Sequence, residues 1–198
     1  MDFKKDGFYV IKNFLEPDFV SFIKDYFSIR INAGYAIPYD IQAVYSYSLY
    51  ADPLMETILQ NSCESIGEII GVNLLPTYSY ARLYRKDDEL VIHSDRKSCE
   101  ISATISLGFP EDSEINPIYF SEHSDGSDPH KVMLNPGDLC IYRGCDLYHW
   151  RPPIKQKWYL QGFLHFVDKD GDYSHLVYDE RPYLGYPDPR ANNTINNT

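Results

Sequence analysis

Near Leu75 the chain changes period, and that change restricts the fold more than any other feature of the sequence. Upstream, apolar residues recur at helical spacing. Downstream, as far as Phe166, they fall in short runs separated by turns, which is the pattern of consecutive strands. Tyr78-Ser-Tyr-Ala-Arg-Leu-Tyr84 alternates and is rich in β-formers. Cys99 to Leu107, Leu139 to Tyr142 and Trp158 to Phe166 read as further strands, and Pro136-Gly137-Asp138 reads as a turn. Helices first and antiparallel strands after predict a β-rich α+β fold. Its form is a double-stranded β-helix, or jelly roll, with the N-terminal helices packed on one sheet.

The helical part is legible in outline. Gly7 to Phe14 reads as an opening strand. Pro17 then starts a helix carrying Phe19, Phe22, Ile23 and Tyr26 at helical spacing. Residues 31–50 are mixed and tyrosine-rich, and are expected to form loops and short strands near a cavity mouth. Pro53 starts a second helix with Leu54, Ile58, Leu59, Ser62, Ile66, Ile69 and Ile70 on its apolar side, and Gly71 ends it. Glu111 to Asn116 and Ser121 to His130 read as polar loops, with His123 and His130 as solvated loop histidines. A single domain is expected over residues 1–190, with a disordered polar tail over 191–198.

His93-Ser94-Asp95 carries the chemistry, together with His149 far downstream. Residues i and i+2 of an extended segment point to one side, so His93 and Asp95 can reach one ion. Two imidazoles and one carboxylate on one face of a metal, with the opposite face open, are the donor set of a non-haem Fe(II) oxygenase site. The bland alternative is two histidines and an aspartate making ordinary hydrogen bonds at strand ends.

Composition narrows the classes. A formal net charge of −11 argues against a nucleic-acid backbone or an anionic membrane as main partner. No stretch approaches the roughly 20 apolar residues of a membrane span, and Met1-Asp-Phe-Lys-Lys-Asp lacks the apolar run of a signal peptide. Cys63, Cys99, Cys140 and Cys145 show no CxxC pairing, so free thiols in a cytoplasmic setting are the expectation.

The order of Tyr80/Arg82/Tyr84, His93/Asp95, Pro136-Gly137-Asp138 and His149-Trp150-Arg151 resembles the 2-oxoglutarate/Fe(II)-dependent dioxygenases, in particular their prolyl-4-hydroxylase-like branch. The likeness runs from about Phe8 to Asp168. It implies Fe(II) on His93, Asp95 and His149, 2-oxoglutarate as cosubstrate, dioxygen as oxidant, and a peptide, amino acid or small metabolite as substrate. An Asp at position 95, where a Gly or Ala would leave a coordination position for halide, implies a hydroxylase. The far carboxylate of 2-oxoglutarate needs a cation, and the resemblance offers two after the distal His, Arg151 and Lys157. Tyr80, Arg82 and Tyr84 share one side of their strand and could bind the cosubstrate if that side faces the cavity. Arg96 could orient Asp95 or meet substrate, Tyr148 and Trp150 read as walls, and His165 as a hydrogen-bonded core histidine. Two rivals stand beside this reading. One is a cupin-like metal-binding jelly roll that does not use 2-oxoglutarate, and the other is a non-enzymatic binding module.

Overall fold

Pro17 and Pro53 each open a helix at the position where a missing N–H costs nothing. The structure, a computed structural model, describes residues 2–40 and 42–186. Its helices are α1 (Phe3–Asp6), α2 (Pro17–Asn32) and α3 (Pro53–Ile70). Among them run β1 (Phe8–Ile11), β2 (Ile37–Asp40) and β3 (Ala43–Tyr50). The rest is β-rich: β4 (Leu74–Arg85), β5 (Leu90–His93), β6 (Ile101–Gly108), β7 (Ile118–Ser121), β8 (His130–Val132), β9 (Leu139–Arg143), β10 (Tyr148–Arg151) and β11 (Trp158–Asp168). Gly71 closes α3 in the left-handed conformation that a side chain disfavours. The Asp52 carboxylate caps the other end, accepting from the Leu54 amide, and also takes the Tyr26 hydroxyl and the Arg30 guanidinium from α2.

The strands form two antiparallel sheets. The larger has the order β1-β9-β6-β11-β4-β3-β2 and the smaller β5-β10-β7-β8. Strand alternation gives the larger sheet two different faces. In β6, Ile101, Ala103, Ile105 and Leu107 join the core beneath α2 and α3. The intervening Ser102, Thr104 and Ser106 are equally buried but turn toward the space between the sheets. In that space Phe8, Phe120, Cys140 and Tyr142 belong to one apolar cluster and Tyr84, Tyr159 and Phe163 to another. This is the jelly roll the sequence predicts, with helices on the outer face of one sheet.

Local details differ from expectation. The buried face of α2 is Val20, Ile23 and Phe27, whereas Phe19 and Phe22 stack on each other in solvent. Ile69 of α3 is likewise exposed, while Met55 and the carboxylate of Glu56 are buried. The opening strand stops at Ile11, since Asn13 turns with a positive φ. Cys99 sits in a 3-10 turn before β6 rather than in the strand. His130 begins β8, its ring 5.3 Å from that of Phe8, and is no loop residue. Residues 31–50 are the end of α2 and the β2–β3 pair, and Asp40 and Gln42 do reach a cavity. The expected tail over 191–198 lies outside the described residues.

The segment after β11 is tied down by a buried ion pair. Arg181 donates to both carboxylate oxygens of Glu56 and to the carbonyls of Thr77 and Tyr186. Glu56 also accepts the amides of Ser79 and Gly185. Removing one partner strands the other charge in the interior. Arg181→Ala should therefore cost about 3–5 kcal/mol of unfolding free energy in urea titration. The double variant Glu56→Gln with Arg181→Met should cost clearly less, and equal losses in the two would contradict this account.

Candidate metal centre

β5 and β10 are neighbours in the smaller sheet, and their register sets His93 directly opposite His149. The two rings are 4.4 Å apart. Each ring is fixed by the same device. His93 Nδ1 lies 2.8 Å from the carbonyl of Val91, and His149 Nδ1 lies 3.1 Å from that of Leu147. A carbonyl can only accept, so each Nδ1 carries the proton and each Nε2 keeps its lone pair. Asp95 follows the end of β5, its amide bonded to the Gly144 carbonyl at 2.8 Å. Its Oδ1 stands 3.7 Å from His93 Nε2 and 3.5 Å from His149 Nε2.

The protonation state suits a cation. Burial, then the neighbouring His149, lowers the pKa of His93 and favours the neutral ring. Burial pushes the Asp95 carboxyl up, but the facing His149, with help from His165 and Ser102, brings it below the ordinary carboxylate value. A neutral His93 ring and an ionised Asp95 carboxylate are forms in which such ligands bind a metal. The donor set therefore fits a divalent first-row ion. Among the described residues a second group of Asp95, Cys99 and His165 also lies within ligating reach. There the Ser102 hydroxyl bonds both Asp95 and His165, and the Cys99 thiol is engaged with the Tyr78 hydroxyl.

The three residues line a cavity of about 420 Å³ that also includes Tyr80, Arg82, Arg96 and Phe163. Arg82 is buried, and its fork is occupied. It donates to Tyr84 at 3.2 Å, to Asp40 at 2.7 Å and to Gln42 at 2.9 Å. Tyr80 donates to the same Asp40 carboxylate. Arg96 grips Asp179 in a bidentate pair at 2.6 and 2.8 Å, on a turn where Tyr178, Asp179 and Glu180 all have positive φ.

Arg151 and Lys157 part company here. Lys157 is exposed and lines a separate groove with Lys24, Phe27 and Trp158 on the helical side of the larger sheet. Lys157 just precedes β11 and does not line the cavity of His93, Asp95 and His149, and neither does Arg151. Arg151 is 1% exposed, two residues beyond His149, with its guanidinium 4.7 Å over the Tyr159 ring. Its Nη1 donates to the Asn116 carbonyl at 2.6 Å. Its Nε and Nη2, the Tyr159 hydroxyl, Gln161 Oε1 and Ser106 Oγ are all buried with no hydrogen-bond partner among the described residues. Register joins these groups, with Tyr159 opposite Tyr84 and Gln161 opposite both Arg82 and Ser106.

His165, 6% exposed, is indeed a hydrogen-bonded interior histidine, but one that lines the cavity, and burial lowers its pKa to about 4. His123 and His130 stay away from the donor group. Trp150 stacks on Tyr119 and lies against Gly126, on the face of β10 opposite His149, so neither it nor Tyr148 walls the cavity. Sequence reasoning missed Asp40, Gln42, Ser102, Ser106, Tyr159, Gln161 and Asp179. For Ser102, Ser106, Tyr159 and Gln161 a signal existed, since they alternate with the apolar residues of β6 and β11.

No protein-family model matches the chain, and no curated protein matches it either. Solved structures do. A prolyl-4-hydroxylase from Pseudomonas putida superposes with a TM-score of 0.63 at 17% identity, covering 83% of this chain and 95% of the other. HygX from Streptomyces hygroscopicus, with nickel, 2-oxoglutarate and hygromycin B bound, gives 0.62 at 14% identity and covers 85% of each chain. A prolyl hydroxylase from Trichoplax adhaerens, in complex with a hypoxia inducible factor peptide fragment, gives 0.66 at 11% identity, covering 84% of this chain and 86% of that one. At such identities the likeness is one of fold, and in fold this chain stands with the 2-oxoglutarate/Fe(II) oxygenases of the prolyl-4-hydroxylase-like kind.

Proposed function

We propose that this protein is an Fe(II)- and 2-oxoglutarate-dependent oxygenase of the hydroxylase type. The observation that carries the reading is the convergence of His93 Nε2, Asp95 Oδ1 and His149 Nε2 at the mouth of a buried polar cavity. When bound there, Fe(II) with 2-oxoglutarate and dioxygen would supply oxidative decarboxylation to succinate and carbon dioxide and the oxidising power to hydroxylate a substrate. The protein's own part is orientation. The carbonyls of Val91 and Leu147 hold the imidazoles in the ligating tautomer. The cavity these three residues line also includes Tyr80, Arg82 and Phe163.

Arg151 is the cation for the far carboxylate of 2-oxoglutarate. A guanidinium with two unpaired nitrogens in the interior is costly, and a carboxylate between it and the Tyr159 hydroxyl would satisfy both. Arg82 is the weaker candidate, because Asp40 already neutralises it. Tyr84 supports the site indirectly by accepting from Arg82. The substrate is a small molecule or a peptide, since fold relatives bind hygromycin B in one case and a peptide fragment in another. All four cysteines are free, and no described helix is long and apolar enough to cross a membrane.

Two experiments test the site. His93→Ala, Asp95→Ala and His149→Ala should each abolish Fe(II) or Ni(II) uptake in anaerobic calorimetric titration, because a facial triad has no spare ligand. His123→Ala should leave uptake unchanged. A His149→Ala protein that keeps full affinity would show that the third ligand lies elsewhere.

The second experiment separates the cations. Arg151→Met should weaken 2-oxoglutarate binding by roughly 30-fold or more, the effect of truncating one partner of a buried charge pair. Metal affinity should stay intact, and Lys157→Ala should behave as wild type. Loss of affinity in Arg82→Met but not in Arg151→Met would move the carboxylate to Arg82. Wild-type protein that binds metal but no 2-oxoglutarate would favour the cupin-like alternative.

A further inference from the structure

Asp95 has two carboxylate oxygens, and the fold treats them differently. Oδ1 faces both imidazoles. Oδ2 accepts a hydrogen bond from the Ser102 hydroxyl at 2.8 Å. Ser102 Oγ also lies 2.9 Å from His165 Nδ1. A hydroxyl has one proton, and the Asp95 carboxylate is a closer and stronger acceptor than the Cys99 carbonyl 3.3 Å away, which assigns the proton between His165 Nδ1 and the Ser102 oxygen to His165. His165 is in turn held by ring contacts with Tyr78 at 4.4 Å and Phe163 at 6.4 Å. The relay His165–Ser102–Asp95 thus runs from β11 through β6 to the second residue after β5.

The rear of the carboxylate is closed as well. A Cβ on Gly144 would overlap the Cys99 carbonyl and stand 2.6 Å from Asp95 Oδ2 and 2.8 Å from Ser102 Oγ. Only glycine fits there. Its carbonyl takes the Asp95 amide at 2.8 Å, and its own amide donates to Glu100 at 2.9 Å.

We infer that Ser102, oriented by His165 and backed by Gly144, is a positioning residue that restricts Asp95 to ligation through Oδ1 alone. The inference rests on the metal reading of the site. Its consequence is stoichiometric. A free carboxylate can bind a cation through one oxygen or through both. Held by Oδ1 alone, Asp95 takes one of six octahedral positions. The three-residue set then leaves three, as a two-point cosubstrate plus dioxygen requires. Chelation through both oxygens would remove one of these. Ser102 is therefore a guard of coordination number, with no contact to substrate or cosubstrate assigned to it.

The test uses Co(II) as a spectroscopic probe in the full-length protein. Thermal unfolding of each metal-free variant first establishes that it is folded. Ser102→Ala should raise the Co(II) dissociation constant about 10- to 100-fold, the usual effect of losing a hydrogen bond to a ligand. It should also change the position and intensity of the ligand-field absorption, because Oδ2 becomes free to coordinate. Ser102→Thr keeps the hydroxyl and should restore both readouts. His165→Asn, which keeps a donor near the Nδ1 position, should lie closer to wild type than His165→Leu. A folded Ser102→Ala protein with wild-type Co(II) affinity and an unchanged spectrum would overturn the inference and leave the metal site standing. Wild-type protein that takes up no Co(II) would instead overturn the site reading, and this inference with it.

Discussion

The register of β5 against β10 is the constraint on which the site depends. His93 and His149 are opposite partners on adjacent strands. Side chains in a strand alternate, so a slip of one residue would turn an imidazole out of the cavity and bring Ile92 or Trp150 in. Two forces hold the register. β10 is paired on its other side by β7, with His149 opposite Phe120, which is fully buried in an apolar cluster. The ring of Tyr142, from the facing sheet, packs 4.8 Å from that of His149. A change of register would cost both the ladder and this packing, so the ligands are set before any ion arrives.

The larger sheet solves a different problem. A sheet buried on both faces normally reads as continuously apolar. Here the inner face carries Ser102, Thr104, Ser106, Gln161, Arg82 and His165, all at or below 6% exposure. Such groups are expensive unless partnered, and most of them find partners on the next strand, as Gln161 does with Thr104 and Ser102 with His165. Stability comes from the outer face, where β6, β9 and β11 bury aliphatic side chains against α2 and α3. The division lets one sheet supply both the core and a polar chamber.

Much of this was legible in the sequence, for local reasons. The ends of α3 are written in Asp52-Pro53 and Gly71, and the strands in alternation. The approach of His93 and Asp95 to one another was legible because their two-residue spacing has a direct meaning in extended chain. The rest was not legible because it depends on distant pairing. Asp40 reaches Arg82 across the β2–β3–β4 strands, and Asp179 reaches Arg96 from beyond β11. Nothing near Asp40 or Asp179 announces those partners. The face of α2 was misread because Phe19 and Phe22 are apolar at helical spacing, but Val20, Ile23 and Phe27 form the stripe that meets β6. Lys157 is exposed just before β11, in a groove with Lys24 and Phe27, a placement that distance along the chain from His149 does not announce.

The unpaired groups around Arg151 mark where function opposes stability. Arg151 Nε and Nη2, the Tyr159 hydroxyl and Ser106 Oγ are buried without partners among the described residues, and each such group weakens the fold. A dianionic cosubstrate entering the chamber would return that free energy as binding, and would stabilise the folded state by mass action. The same logic explains why Arg82 is treated differently. Asp40, carried by the β2 edge strand, neutralises it at 2.7 Å, so the cavity mouth does not compete with the interior for the same carboxylate. Arg82 keeps only its Nε without a partner among the described residues, whereas Arg151 keeps Nε and Nη2, so an entering carboxylate would gain more hydrogen bonding at Arg151 than at Arg82.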